Sequence, residues 1–344
     1  MATRLLRIVG FPAFILLLAS FALAAPVPSK SSGYSGYRVL KTYHLGGTQG
    51  WDYIRIDSAL RRLFIGRGSY MDVVDVDTGK VEAKLTGMPG VHGIALARDL
   101  GRGFTVNGDN DTSTILDLKT LKIIGTVKTG KDPDGNTYDP ATKRVFIMNS
   151  AGNDATAIDA VTGKVVGTIP LDGQPEFTVS DGKGHIFVNI TNKSQMLEFD
   201  ARTLKVLHRW PLAPCEYPSG LSMDRANHLL FSVCSNNKMV VTNANTGKVV
   251  AALPVGADPD ASIFDPATQN AFSSNGGCGN LTIIHEDSPD KFHVVQTVDT
   301  QTGARTMALD GKTHNIFLIT AMHGHGSTAR SIVPGTFVAL VVGR

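Results

Sequence analysis

Residues 133–169 read PDGNTYDPATKRVFIMNSAGNDATAIDAVTGKVVGTI, and this stretch decides the fold. Thr137 to Asp139 end a short run that leads into the turn Pro140-Ala141-Thr142-Lys143. Arg144 to Met148 is rich in β-formers, Asn149 to Asp154 is a polar loop, and Ala155 to Asp159 is a third run. A second tight turn, Ala160-Val161-Thr162-Gly163, leads to a fourth run, Lys164 to Ile169. That spacing predicts four strands of ordinary length joined by tight turns. Four such strands cannot bury both faces of their sheet alone, so the unit calls for neighbours of its own kind.

The neighbours are in the chain. Phe146 has counterparts at Phe64, Phe104, Phe187, Phe231, Phe272 and Phe317, at steps of 40, 42, 41, 44, 41 and 45 residues. The second turn recurs as Asp77-Thr78-Gly79-Lys80, Lys119-Thr120-Leu121-Lys122, Arg202-Thr203-Leu204-Lys205 and Asn245-Thr246-Gly247-Lys248. The turn before the Phe strand recurs as Asp265-Pro266-Ala267-Thr268, and more loosely at Asp57 and Asp310. Seven all-β copies at one period predict a β-propeller of seven four-stranded blades. A long β-sandwich would not hold one period seven times.

Blade seven ends one strand short at the C-terminus, and Tyr37 to Leu45 is an orphan strand before blade one. We expect it to pair outside Thr336 to Val342, which joins the two ends of the ring and removes the open seam. Blade one is expected to close with Val81 to Leu85. Blade six carries a longer acidic turn, His285 to Lys291.

Residues 1–24 read as a signal peptide. Arg4 and Arg7 give a basic start, Ile8 to Leu23 is apolar, and Ala22-Leu23-Ala24 matches a small-x-small cleavage site. Residues 25–36, rich in Ser, Pro and Gly, read as a flexible lead-in, and 37–344 as the propeller. This predicts a periplasmic or secreted monomer with no transmembrane anchor after processing. Of 344 residues, 42% are hydrophobic and 18% charged, which suits a sizeable core. Formal charge is +3, and loss of Arg4 and Arg7 lowers it further. That balance argues against nucleic acid as a partner; Arg61, Arg62 and Arg67 are the one basic cluster to set against it.

The Asp-Pro-Ala-Thr turn before the Phe strand and the Thr-Gly-Lys-Val-Val after the third strand resemble the YVTN-repeat, YncE-like propellers of bacteria, over about Tyr37 to Arg344. The resemblance implies an exported seven-bladed propeller. It implies no single activity, because similar propellers include lactonases, lyases and redox subunits. The chain has no Cys-x-x-Cys-His for covalent haem and no Gly-x-Ser-x-Gly nucleophile turn.

In an up-and-down blade, the loop entering the first strand and the loop leaving the second share a face. Twelve residues before each Phe stand Asp52, His92, Asp134, Ser219, Asp260 and Arg305; in the shorter blade four Glu176 stands eleven before. These side chains are expected to ring one mouth of the central channel. Two readings follow. In one, a hydrated channel has acids that bind loop amides, with Arg305 paired to Asp52 or Asp260. In the other, Asp52, His92, Asp134, Glu176 and Asp260 hold a divalent metal ion or a polar ligand. His323 and His325, spaced as His-x-His, overhang the same mouth as further candidate ligands. Trp51 either stacks a ligand ring or packs between blades.

Cys215 and Cys234 both fall on the mouth face, and we expect a disulfide between them. Eighteen residues lie between the two, so loop closure sets its contribution at about 3 kcal/mol. Cys278, in a Gly-rich loop, is left over as a free thiol or soft metal ligand. The functional expectation is a binding or scaffold module that presents this face to a small molecule or protein. The alternative is a metal-assisted lactonase-type hydrolase or lyase built on the acidic ring.

Overall fold

The computed structural model describes residues 36–324 and 331–344. The signal peptide, most of the lead-in and His325 therefore lie outside the described residues. From Gly36 onward the chain is one compact unit. Among the described residues no helix is long and apolar enough to cross a membrane.

The fold is a seven-bladed β-propeller. The outer closing strand is β1 (Arg38–His44). Blade one holds β2 (Ile54–Asp57), β3 (Arg62–Gly66), β4 (Gly68–Asp75) and the first half of β5 (Val81–Ala97). The second half of β5 opens blade two, followed by β6 (Arg102–Asn107), β7 (Thr112–Asp117) and β8 (Ile123–Lys128). Blade three is β9 (Pro133–Asp139), β10 (Arg144–Asn149), β11 (Asp154–Asp159) and β12 (Lys164–Pro170). Blade four is β13 (Pro175–Ser180), β14 (His185–Ile190), β15 (Gln195–Asp200) and β16 (Val206–Pro211). Blade five is β17 (Pro218–Asp224), β18 (Leu229–Cys234), β19 (Lys238–Asn243) and β20 (Val249–Pro254). Blade six is β21 (Pro259–Asp265), β22 (Asn270–Asn275), β23 (Asn280–Ser288) and β24 (Lys291–Asp299). Blade seven is β25 (Thr306–Asp310), β26 (Asn315–Thr320), β27 (Val338–Gly343) and β1, in the order β1-β27-β26-β25.

Two boundaries differ from the expectation. Blade one does not stop at Leu85, because Gly68 pairs with Val91 and carries the strand straight into blade two. In blade six the acidic segment is a hairpin extension, with His285 paired to His293 and Ser288 to Lys291.

Why the repeat has this form is visible in the packing. Each repeat Phe is buried and packs forward onto the following blade. Phe64 meets Val91 and Ile94, Phe104 meets Val145 and Ile147, and Phe146 meets Ile186 and Val188. Phe187, Phe231, Phe272 and Phe317 do the same, the last against Ile54 and Ile65 of blade one. Arginine clamps reinforce three of these joints. Arg62, Arg102 and Arg144, two residues before their Phe, each donate from Nη1 to two carbonyls at the third-strand end of the next blade.

The turns explain the other repeated residues. Asp75, Asp117, Asp159, Asp200 and Asn243 each accept hydrogen bonds from the amide three residues on. The residue three before each Phe has positive φ, from 53° to 113° across Arg61, Gly101, Lys143, Gly184, His228, Gln269 and His314. That residue ends the turn before the Phe strand, where Asp57, Asp139, Asp224, Asp265 and Asp310 accept turn amides and offset the cost of the left-handed conformation.

The closing strand reaches beyond its own blade. Tyr37 exchanges hydrogen bonds with the side chain of Gln296 and packs edge-on against Phe272 at 5.5 Å, both in blade six. Tyr43 donates to the carbonyl oxygens of Val76 and Asp77 in blade one, at 3.2 and 2.9 Å. That second latch constrains Gly79, whose φ is +74° and whose Cβ, if present, would lie 2.3 Å from the Tyr43 ring. Gly101 has a similar φ of +63° but open space around it. Both Gly→Ala changes carry the left-handed penalty of about 1 kcal/mol. Gly79→Ala adds a packing cost of about 1–3 kcal/mol, because the ring must leave its carbonyl partners. Urea denaturation should rank Gly79→Ala below Gly101→Ala; equal stabilities would show that the Tyr43 latch contributes nothing.

Candidate functional site

The inner strands start at one mouth of the channel, so each blade offers one side chain there. The inner strands also lie very close together. A Cβ on Gly135 would sit 2.7 Å from the Glu176 carbonyl oxygen, and one on Gly220 2.4 Å from that of Asp260. At the position after the ring, the seven blades carry Tyr53, Gly93, Gly135, Phe177, Gly220, Ala261 and Thr306. Only two of these are large, and they meet: the Tyr53 and Phe177 rings are 4.8 Å apart, edge to face. The five small neighbours leave room for this pair beneath the acidic mouth.

The predicted ring residues gather above it. His92 Nδ1 lies 2.6 Å from Asp52 Oδ2 and 3.4 Å from Asp134 Oδ1. Glu176 Oε1 accepts the Tyr53 hydroxyl at 3.4 Å. Ser219 donates from Oγ to the Asp260 carbonyl oxygen at 2.5 Å. Arg305 is half exposed; its Nε is 3.8 Å from Asp260 Oδ2, and an Nη2 hydrogen bond reaches the Trp51 carbonyl at 3.4 Å. The side chains of Asp52, His92 and Asp134 are 32%, 30% and 19% exposed, so a small solute reaches them.

Electrostatics follow from this crowding. Burial raises Glu176, and the charges of Asp134, Asp260 and Asp52 add to it, giving about 8. Asp134 rises to about 7, through burial and then Asp52, with His92 opposing. Burial also lifts Asp260 to about 6 against the pull of Arg305. For His92, burial alone favours the neutral ring. The Asp52 hydrogen bond and the charges of Asp52, Asp134 and Asp132 outweigh it and push the imidazole to about 9. Burial and all four acids hold the Tyr53 phenol well above its ordinary value. Near neutral pH the mouth therefore stores protons, on the His92 ring and on Glu176 among them.

The remaining candidates are placed as follows. Trp51 packs between blades one and seven, 5.7 Å from Phe337, with Arg305 over its ring at 6.0 Å. His323 tilts over Trp51 at 5.8 Å rather than joining the acids. Cys215 and Cys234 are bonded to each other, and Cys278 is an exposed free thiol whose Sγ accepts the Ala257 amide. Arg61, Arg62 and Arg67 form no open basic patch. Arg61 holds Asp77 and Asp310, and Arg62 holds Glu82. Arg67 is fully buried against Asp72 and lies 3.5 Å over the Phe337 ring. Reading only the mouth positions missed Tyr53 and Phe177. Their signal was present: they are the two bulky residues among seven equivalent positions.

No family model and no curated protein matches the chain. Solved structures do. The hydrazine synthase of Kuenenia stuttgartiensis superposes with a TM-score of 0.68 at 17% identity, covering 79% of this chain and 92% of that one. A streptogramin B lyase gives 0.71 at 13% identity, covering 89% and 97%. The WD40 repeats of RRP9 give 0.74 at 8% identity, covering 89% and 97%. Identities this low show a shared β-propeller architecture alone; they carry no activity across.

The ring leaves a signature in stability. Asp134, Glu176 and Asp260 bind protons more tightly folded than unfolded, so they stabilise at low pH. That contribution is lost as pH rises from about 4 through their folded values of about 6 to 8. His92 has the same sign, with its loss between about 6.5 and about 9. Denaturant titrations across this range should show wild-type stability falling with pH and Glu176→Gln falling less. A Glu176→Gln profile parallel to wild type would mean that Glu176 is not held protonated.

Proposed function

We propose that this chain is an exported, YncE-like propeller that acts as a monomeric binding module, and that its acidic mouth takes a divalent cation on Asp52, His92 and Asp134. One observation carries the reading: a ligand atom from each of these residues lies within 4.8 Å of the other two. Two carboxylate oxygens and one imidazole nitrogen suit zinc or manganese better than calcium, which prefers oxygen alone. Three protein ligands leave coordination positions for a small polar molecule or a carboxylate from a protein partner. Export is supported by the leader-like residues 1–24 and by cysteine pairing on the mouth face. The repeat turns support the YncE-like assignment.

Metal binding must displace the His92 proton, so affinity should rise with pH through about 9. Zinc or manganese at a hundredfold over its dissociation constant stabilises by about 2.7 kcal/mol. In thermal melts the metal-induced shift should be larger at high than at low pH, and absent in Asp52→Asn with Asp134→Asn. A wild type indifferent to both metals in the upper part of that range overturns the cation site.

A catalytic use of the same mouth, as a lactonase-type hydrolase or lyase, has one observation in its favour. Burial and the surrounding carboxylates keep Glu176 protonated near neutral pH, where it can donate a proton to a leaving oxygen. Metal-loaded protein should then open simple lactones, and Glu176→Gln should lower the rate by about 100-fold. Equal turnover by the two proteins would remove Glu176 from that role.

A further inference from the structure

Beneath the Tyr53–Phe177 pair the channel widens into a cavity of about 390 Å³ on the opposite side from the acidic mouth. Its chemistry is reversed. Arg55, Arg98 and Arg225 line it, and the same three arginines line a smaller adjoining recess of about 260 Å³.

Arg55 is the unexpected member. It lies on β2 directly across from the repeat residue Phe64. The residues facing the other six Phe positions are Ala95, Thr137, Val179, Ser222, Ile263 and Ala308, none of them charged. Among the described residues Arg55 has no hydrogen bond and no ion pair, and its side chain is exposed to the solvent space of the channel, where a dissolved ligand can reach it. The protein wall crowded around the channel is the main influence disfavouring its charge, and Arg98 and Arg225 add repulsion. Three like charges facing one channel repel one another, and an anion placed among them relieves that repulsion.

The other two arginines are fixed in position. Arg98 donates from Nη2 to the Ile56 carbonyl at 2.6 Å, with its Nε 3.5 Å from Asp57 Oδ1. Arg225 donates from Nε and Nη2 to the Ser180 carbonyl at 3.0 and 2.6 Å. Among the described residues the Nη1 of each has no partner. The acids nearby are Asp57, Asp181 and Asp224, and all three accept amides of their own turns. None is paired with Arg55.

We propose that this cavity is a second binding site, for a small organic anion, with a carboxylate or phosphate head held by Arg55 between Arg98 and Arg225 and an apolar body against Phe177, Val179, Met223 and Ile263. The guanidinium fork matches such heads in shape and charge. The volume falls in the range of small-molecule sites.

Isothermal titration of the full mature chain with phenyl phosphate and with benzoate, against sodium chloride at matched ionic strength, tests this. At least one probe should bind at one equivalent, and the arm that responds identifies the head as phosphate or carboxylate. Arg55→Gln should weaken that binding by at least about tenfold, the loss expected for a charge-assisted hydrogen bond. Arg98→Gln serves as the second variant should Arg55→Gln not fold, with the same expected loss. Neither probe binding above the chloride control, or a folded variant binding as tightly as wild type, overturns the proposal.

Discussion

Each four-stranded sheet in this protein has an apolar face that only the next sheet can cover. The repeat Phe is the residue that makes the joint, and it works in one direction around the ring. A chain of such joints leaves its last face open unless the ring closes. Here closure depends on β1, which pairs with β27 in blade seven while Tyr37 grips blade six and Tyr43 grips blade one. Three blades are tied by one strand. The entropy of ordering the N-terminal segment is set against the removal of two sheet edges and an exposed apolar seam.

Closing the ring also creates the chemistry. Seven inner strands converging on one axis come so close that bare glycine is needed at Gly135 and Gly220. Polar side chains at their starts then have nowhere to spread. Four carboxylates, one imidazole and one guanidinium share a space in which full ionisation of the acids is unfavourable, so protons remain bound near neutral pH. The same crowding that disfavours separate charges brings Asp52, His92 and Asp134 to metal-ligand separation. Electrostatic frustration and that close approach are here one property of the ring.

The channel is also divided. Tyr53 and Phe177 meet across it, and the five small residues at their level make that contact possible. Above them the charge is acidic, below them basic, and the pair separates the two sets of groups. The Tyr53 hydroxyl, hydrogen-bonded to Glu176 just before β2, belongs to the acidic side, while Arg55, two residues later on β2, belongs to the basic side. One short extended segment thus contributes to both ends, because alternate residues of extended backbone recur on one face.

How much of this is written in the sequence depends on whether the feature lies within a blade or between blades. The Phe period, the Asp-led turns and the orphan strand are local or periodic, and they specify seven blades and their closure. Counting back from each Phe also finds the mouth residues, because register within a blade is set by its hairpins. Continuity of β5 was not legible, since the repeat period places the end of blade one at Leu85 and only the pairing of Gly68 with Val91 carries the strand on into blade two. Nor was the burial of Arg67 in the supposed basic cluster, or the convergence of Arg55, Arg98 and Arg225 from three different blades. The sequence by itself determined the repeated unit, the ring and which residues stand at its mouth. Tertiary structure alone decided which of them touch, because distances across the channel depend on how far the closed ring brings opposite blades together. No single repeat encodes that quantity.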